Sequence, residues 1–284
     1  MARAANRSTS RAATAAYVLH SHDWSESSLI LDLFTRAHGR VVAVAKGAKR
    51  PYSQLRPVLL PFQRLSVVFG AKQGQDVEVW LLRQAEWGGG PAWPGGAALL
   101  PGFYANELLM RLLPRHDVLP RLWDTYAAML PALTLPGSLH ASLRAFELVV
   151  LRQLGHLPDL SLHSARGLPL LDDLRYAVHP ELGVHEAGPD DAAVPGWLLR
   201  QLETTLRMAT GAAPSRAQAE SLADGGLPDE ESPPRSPEAL PEALLQACAL
   251  GSSDLRNVLR VVLHYHVGPQ PLRTRQLMMD LQQS

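Results

Sequence analysis

The hydrophobic period changes once along this chain. As far as Trp87 it is near two, the spacing of half-buried strands; from Leu99 it is near 3.6, the spacing of helices. Strands and helices therefore occupy separate stretches, which predicts an α+β chain with a β unit first and a helical unit after it. The length of 284 residues suits one large domain or two smaller ones.

Short strands are expected at Tyr17–His20, Ser27–Thr35, Arg40–Lys46, Phe62–Phe69 and Val77–Ala85. In the second, Leu29, Leu31 and Leu33 alternate with Ile30, Asp32 and Phe34. In the third, Val41, Ala43 and Ala45 alternate with Val42, Val44 and Lys46. His38-Gly39 supplies the turn between these two, and Gly70 to Gly74 the turn between the last two. The stretch Ala48 to Pro61 carries Pro51, Pro57 and Pro61 and cannot be a central strand. Five such strands suit a small barrel. The five-stranded OB-type β-barrel, which binds oligonucleotides through one face and its loops, is the expected fold of residues 14–90.

Formal charge cancels over the whole chain, 27 basic residues against 27 acidic, but not along it. From Leu33 to Gln75 there is no acid, while Arg36, Arg40, Lys46, Lys49, Arg50, Arg56, Arg64 and Lys72 all fall there. One sign over one segment is the electrostatic footprint of a polyanion binder. The bland alternative is a solvated basic face with no partner. Single-strand binders pair a positive groove with aromatic platforms. Tyr52 lies inside the basic, Pro-interrupted loop after the third strand, and Trp24, Phe34 and Phe62 flank that loop; Phe34 and Phe62 read as core. Residues 1–13 are basic and rich in Ala and Ser, and are expected to form a disordered tail.

Helices are expected at Phe103–Leu113, Leu119–Leu130, Ser138–Leu154, Pro195–Thr210, Glu238–Leu250, Asp254–His266 and Leu272–Gln282. Ser138 and Ser253 are the expected N-caps, Gly155 and Gly211 the expected stops. The resulting α-helical bundle comes in two parts, 91–155 and 195–284, the second with a disordered loop at 212–237. An irregular, turn-rich insertion at 156–194 separates them.

Cys248 is the single cysteine, which excludes an internal disulfide framework and any multi-cysteine metal site, and fits a reducing cytosol. No apolar run is long enough for a transmembrane helix, so no membrane partner is expected. There is no Walker A sequence, dinucleotide fingerprint, nucleophile elbow or zincin histidine pair. Asp172-Asp173 and Asp190-Asp191 fall in polar loops and read as surface carboxylates. No catalytic residue and no cofactor is assigned, and the expectation is a protein that is not an enzyme. Two other classes stay open: an OB-fold RNA- or tRNA-binding module without annealing activity, and a hydrolase using the Asp and His residues of 156–193.

Four stretches in order carry a family resemblance. They are YVLHSHDWSESSLILDLFTRAHGRVVAVAKGAKR from Tyr17 (then Ser53 and Leu60-Pro61-Phe62), YANELLMRLL, FELVVLRQLGHLPDL and GPQPLRTRQLMMDL. Together they resemble the RecO family of bacterial DNA repair and recombination mediators, over most of the chain. The resemblance implies an OB domain followed by a helical domain, and a protein that binds single- and double-stranded DNA and anneals complementary strands. It further implies action on strands coated by single-stranded DNA-binding protein (SSB), and, with RecR, help in loading RecA. No nucleotide hydrolysis or covalent catalysis is implied, and the location is cytoplasmic, at the nucleoid. Participation of RecF, oligomeric state and the role of Arg273 and Arg275 stay open.

The expected DNA-binding residues are Arg36, Arg40, Lys46, Lys49, Arg50, Tyr52, Arg56 and Arg64, with Lys46, Lys49, Arg50 and Arg56 foremost. If five to seven phosphates are neutralised on a single strand, the log–log salt slope is roughly −3.5 to −5. The SSB tail is acidic and apolar and needs a basic residue beside an apolar groove. Arg144 has that setting, with Arg121 and Arg152 as alternatives.

Many members of the family carry a four-cysteine zinc motif after the segment matching LGHLPDL. Here that region has no cysteine; His163 and His185 alone fall near the ligand positions. Two histidines fall short of the four ligands of a structural zinc site, so this zinc-finger-like insertion is expected to hold by packing. Metal analysis of purified protein is expected to find no stoichiometric zinc; one tightly bound zinc per chain overturns this.

Overall fold

The computed structural model describes residues 12–70, 78–90, 95–211 and 239–283. Most of the basic tail, Lys72 and the loop expected at 212–237 lie outside the described residues. The chain divides into two compact units, one from residues 1–91 and 114–120, the other from 92–113 and 121–284.

The first unit is a barrel. Its strands are β1 (Thr14–Asp23), β2 (Leu29–Thr35), β3 (Gly39–Ala45), β4 (Leu65–Phe69) and β5 (Val79–Trp87). They close in the order β1-β2-β3-β5-β4. Strands β3 and β5 pair in parallel, and the other strand pairs described in the barrel are antiparallel. Closure falls to the start of β1, where Ala16 pairs with Thr35 of β2 and with Leu65 of β4. The alternation expected from sequence sets the interior: Leu31, Leu33, Val41, Ala43 and Ala45 are buried there with Val18, Leu65 and Val67. Burying a Val or Leu side chain stabilises by about 1.5–3 kcal/mol, so this set gives the barrel its core.

The segment 114–120 follows the first helix, yet it belongs with the barrel. The β5 pairing begins only at Val42, which leaves the backbone of Arg40 open on that edge. Arg40 bridges Arg115 instead, and the His116 N–H donates to Arg40 O at 2.9 Å. Gly39 makes this approach possible. Its φ is +66°, and a Cβ there would lie 1.9 Å from Asp117 O.

The second unit contains α1 (Leu99–Leu112), α2 (Pro120–Ala132, from Arg121 onward), α3 (Leu139–Gln153), α4 (Gly196–Thr210), α5 (Glu242–Leu250), α6 (Ser252–Val267) and α7 (Arg273–Gln283). Helix α3 is central, packing against α1, α4, α5 and α6. Its residues Ala145 to Leu151 are buried without interruption, including Glu147. Cys248 is buried in α5, and burial pushes its thiol up to about 12.

Two expected caps differ. The Ser138 hydroxyl donates back to the carbonyls of Ala132 and Leu135 and gives α3 no cap bond. Ser253 lies inside α6, because the helix starts directly after Gly251. Ser138 is held by the turn that precedes it, which competes with the cap. Helix α4 ends, as expected, at Gly211, whose φ of +59° is left-handed.

The insertion expected to be irregular holds a three-stranded sheet in the order β7-β6-β8, from β6 (Arg175–His179), β7 (Gly183–Glu186) and β8 (Val194–Pro195). Strands this short show too little alternation to be read from sequence. The loop before them is laced on by Ser164, whose N–H donates to Val184 O and whose Oγ accepts from Val184 N–H, both at 2.8 Å. The residues present do not fit a zinc ion: among the described residues no three His, Cys, Asp or Glu side chains group to hold a metal.

Candidate nucleic-acid interface

Strands β3 and β4 are not neighbours in the barrel, so the chain leaving β3 must cross the barrel end to reach β4. It does so as a plug. Ala48 and Leu59 join the barrel core, and Leu55 and Val58 pack against it. Leu55, Val58 and Leu59 have the spacing of one helical turn, and the Leu59 N–H donates to Leu55 O at 3.0 Å. Arg50, Tyr52 and Arg56 are left on the solvent side. The prolines and the cations of this segment thus have one explanation. It seals a core from beneath and presents charge from above.

Lys46, at the end of β3, is exposed. Lys49 ties the plug to the β1–β2 turn: its N–H donates to Ser27 O at 3.0 Å, its Nζ to Ser25 O at 3.2 Å, and the Nζ lies 3.0 Å from Asp23. The Arg50 N–H donates to Gly47 O, and Tyr52 is 99% exposed. Lys46, Lys49, Arg50, Tyr52 and Arg56 therefore share the cap.

The other expected DNA-binding residues are elsewhere. Arg36 is exposed but follows β2, at the opposite end of β3 from Lys46, a strand of about 20 Å. Arg64 is exposed just before β4, whose register sets it across from Tyr17, far along β1 from Asp23. Arg40 is a correction. Its Nε lies 3.2 Å from Asp32 Oδ1, with both side chains largely buried. Asp32 stands one residue before the acid-free window and reaches back across the β2–β3 ladder to neutralise it. Phe34 and Phe62 are core, at 0% and 6% exposure.

The helical unit has its own basic site. A groove of about 620 Å³ is lined by Arg144, Arg256, Arg260 and Arg275 together with Leu143, Leu263 and Leu272, among others. Arg144 Nη1 lies 2.8 Å from Glu147 Oε2. Glu147 is fully buried and accepts from the Tyr104 hydroxyl at 2.7 Å; burial holds its carboxyl above the usual range. Burial and then the Arg260 charge pull the Arg275 guanidinium below its usual range. Four guanidiniums face one lining carboxylate, Asp280. Arg256 and Arg260 were not expected, although their spacing of four on a helix is a basic stripe readable in sequence.

The alternatives to Arg144 do not reach this groove. Arg121 donates to Thr210 O at the end of α4, and Gly211 leaves room for its guanidinium. Arg152 pairs with Glu203, which is buried and also accepts from Arg207 Nε at 2.5 Å and from the Leu160 N–H at 2.9 Å. Arg207 in turn lies 2.8 Å from Asp159. These two arginines hold the helical unit together.

A closed barrel of OB order with a cationic plug, followed by a helical unit, defines an OB-fold protein with an appended α-helical domain. Comparison with known families agrees. Residues 5–88 match the model described as "Recombination protein O N terminal", and residues 96–218 match "Recombination protein O C terminal". The chain is 45% identical over 269 residues to DNA repair protein RecO of Polaromonas naphthalenivorans (strain CJ2), covering 94% of this chain and 95% of the relative. It is 43% identical to that of Variovorax paradoxus (strain S110) and 45% to that of Delftia acidovorans (strain DSM 14801 / SPH-1), with the same coverage. The chain belongs to the RecO family, proteins of DNA repair and recombination.

Removing one partner of a buried ion pair costs about 3–5 kcal/mol. Arg152→Ala is accordingly expected to lower unfolding free energy by about 3 kcal/mol in urea titration, since Arg207 still serves Glu203. Loss below about 0.5 kcal/mol, the usual range of surface substitutions, would show that Arg152 is not structural.

Proposed function

We propose that this protein is a DNA-binding recombination mediator that works without covalent catalysis. It grips single- and double-stranded DNA by their phosphates, anneals complementary strands and, with RecR, helps load RecA on SSB-coated DNA. The observation that carries the reading is the barrel cap, where Lys46, Lys49, Arg50 and Arg56 share one plug with the fully exposed Tyr52. Phosphate contacts are independent of base sequence and sensitive to salt. Annealing follows from the same physics: screening the phosphates lets two strands approach, provided neither is held too firmly. Four cap cations on a single strand give a log–log salt slope of about −3, below the range expected from the whole basic window.

The groove beside Arg144 suits the acidic, apolar tail of SSB. Crowded guanidiniums are relieved by an anion, and the leucines beside them take an apolar side chain. Together the two surfaces let the protein stay on an SSB-coated strand while the barrel handles DNA. The setting is the cytoplasm, at the nucleoid.

Lys46→Glu with Arg50→Glu is expected to weaken binding of every DNA sequence alike, at least tenfold at low salt in fluorescence titration, and to slow annealing of complementary SSB-coated strands. Unchanged affinity removes the cap from the reading. Preference for RNA without annealing replaces it by an RNA-binding module. For the groove, Arg260→Glu and Arg144→Ala are each expected to reduce affinity for an SSB tail peptide at least tenfold in calorimetry, with DNA affinity kept. Full tail affinity in both variants ends the assignment.

A further inference from the structure

Strand β1 carries rings at alternate positions beside the cationic cap. His20 and His22 are both exposed, with ring centroids 4.2 Å apart at an interplanar angle of 73°. Residues two apart on a strand share a face. Trp24 follows at the next alternate position, in the β1–β2 turn, and is 65% exposed. The turn is a held one: the Trp24 N–H donates to Ser28 O at 3.2 Å, and Lys49 ties Asp23 and Ser25 to the plug. A singly exposed indole is ordinary on a protein surface. This one follows an exposed imidazole pair along the chain, in a turn that Lys49 ties to the plug; aromatic rings with cations are the combination that single-strand binders use.

Stacking on a side-chain ring needs a base whose face is uncovered, as in an unpaired strand. A duplex offers none, because its base faces are already covered by one another.

We propose that Trp24, with His20 and His22, forms a stacking track for the unpaired bases of a single strand whose phosphates lie on the cap of Lys46, Lys49 and Arg50. The proposal rests on the DNA-binding reading and adds what that reading lacks, a reason for the cap to hold single strands in preference to duplex. The bases are received by their π-faces, which all four share, so the track is tolerant of sequence.

The test separates bases from phosphates. Binding of wild type, Trp24→Ala and Trp24→Phe is measured by anisotropy on three labelled probes: an oligothymidine, an abasic oligomer of the same length and charge, and a duplex. Loss of one stacked base corresponds to about fivefold or more in affinity. Trp24→Ala is expected to lose that much on oligothymidine and to match wild type on the abasic oligomer and the duplex, while Trp24→Phe keeps most of the oligothymidine affinity. The double variant His20→Ala with His22→Ala is expected to show a smaller loss confined to oligothymidine. Equal losses on all three probes, or none on oligothymidine, overturn the track. Wild-type protein that retains no probe overturns the DNA-binding reading itself, an outcome distinct from both.

Discussion

Barrel closure is the constraint from which the rest of the first unit follows. The first residues of β1 pair on both sides, with β2 and with β4. This places β4 next to β1 and away from β3, so the chain between them has to cross an open end of the barrel. An open end would expose Leu and Val side chains to water. The crossing segment is therefore made to seal it, with Leu55, Val58 and Leu59 turned inward. A segment stretched over a lid has a second surface, and here that surface carries the cations. The charge that marks the protein as a polyanion binder is thus held in place by the apolar residues beneath it.

The helical unit obeys a different rule, that buried charge must be answered. Glu203 is fully buried yet meets two arginines and a backbone amide. Glu147 is also fully buried and meets Arg144 and the Tyr104 hydroxyl. The two sites differ in what lies beside them. Around Glu203 the basic residues are used up within the unit by Glu203 and Asp159. Around Glu147 further guanidiniums crowd a groove. Arginines that look alike in sequence thus divide into those paired with buried carboxylates and those, such as Arg256 and Arg260, that line a groove.

Much of the barrel was legible because its signals are local. Alternation in β2 and β3 and the turn at His38-Gly39 depend on neighbours a few residues away. The cap cations were legible for the same reason, since Lys46 to Arg56 are contiguous. What could not be read was pairing across strands and helices. Asp32 and Arg40 are separated by a turn, Arg152 and Glu203 by the whole insertion, and no window of sequence brings them together. The seven cations of the acid-free window that the structure describes read as one patch in sequence, whereas a strand of seven residues sets Arg36 and Lys46 at its two ends. Ser138 shows the limit of cap rules, because its hydroxyl takes the carbonyls that the preceding turn offers.

The chain by itself determined the order of a β unit and a helical unit, the inward face of each central strand and the sign of charge on the plug. Periodicity and composition are properties of neighbours, and neighbours in sequence stay neighbours in the fold. Only the tertiary structure decided which cations remain at the surface, which are consumed by buried carboxylates, and that the loop 114–120 completes an edge the barrel leaves open. Those outcomes depend on contacts between distant segments, which form when burial forces every charge and every backbone amide to find a partner.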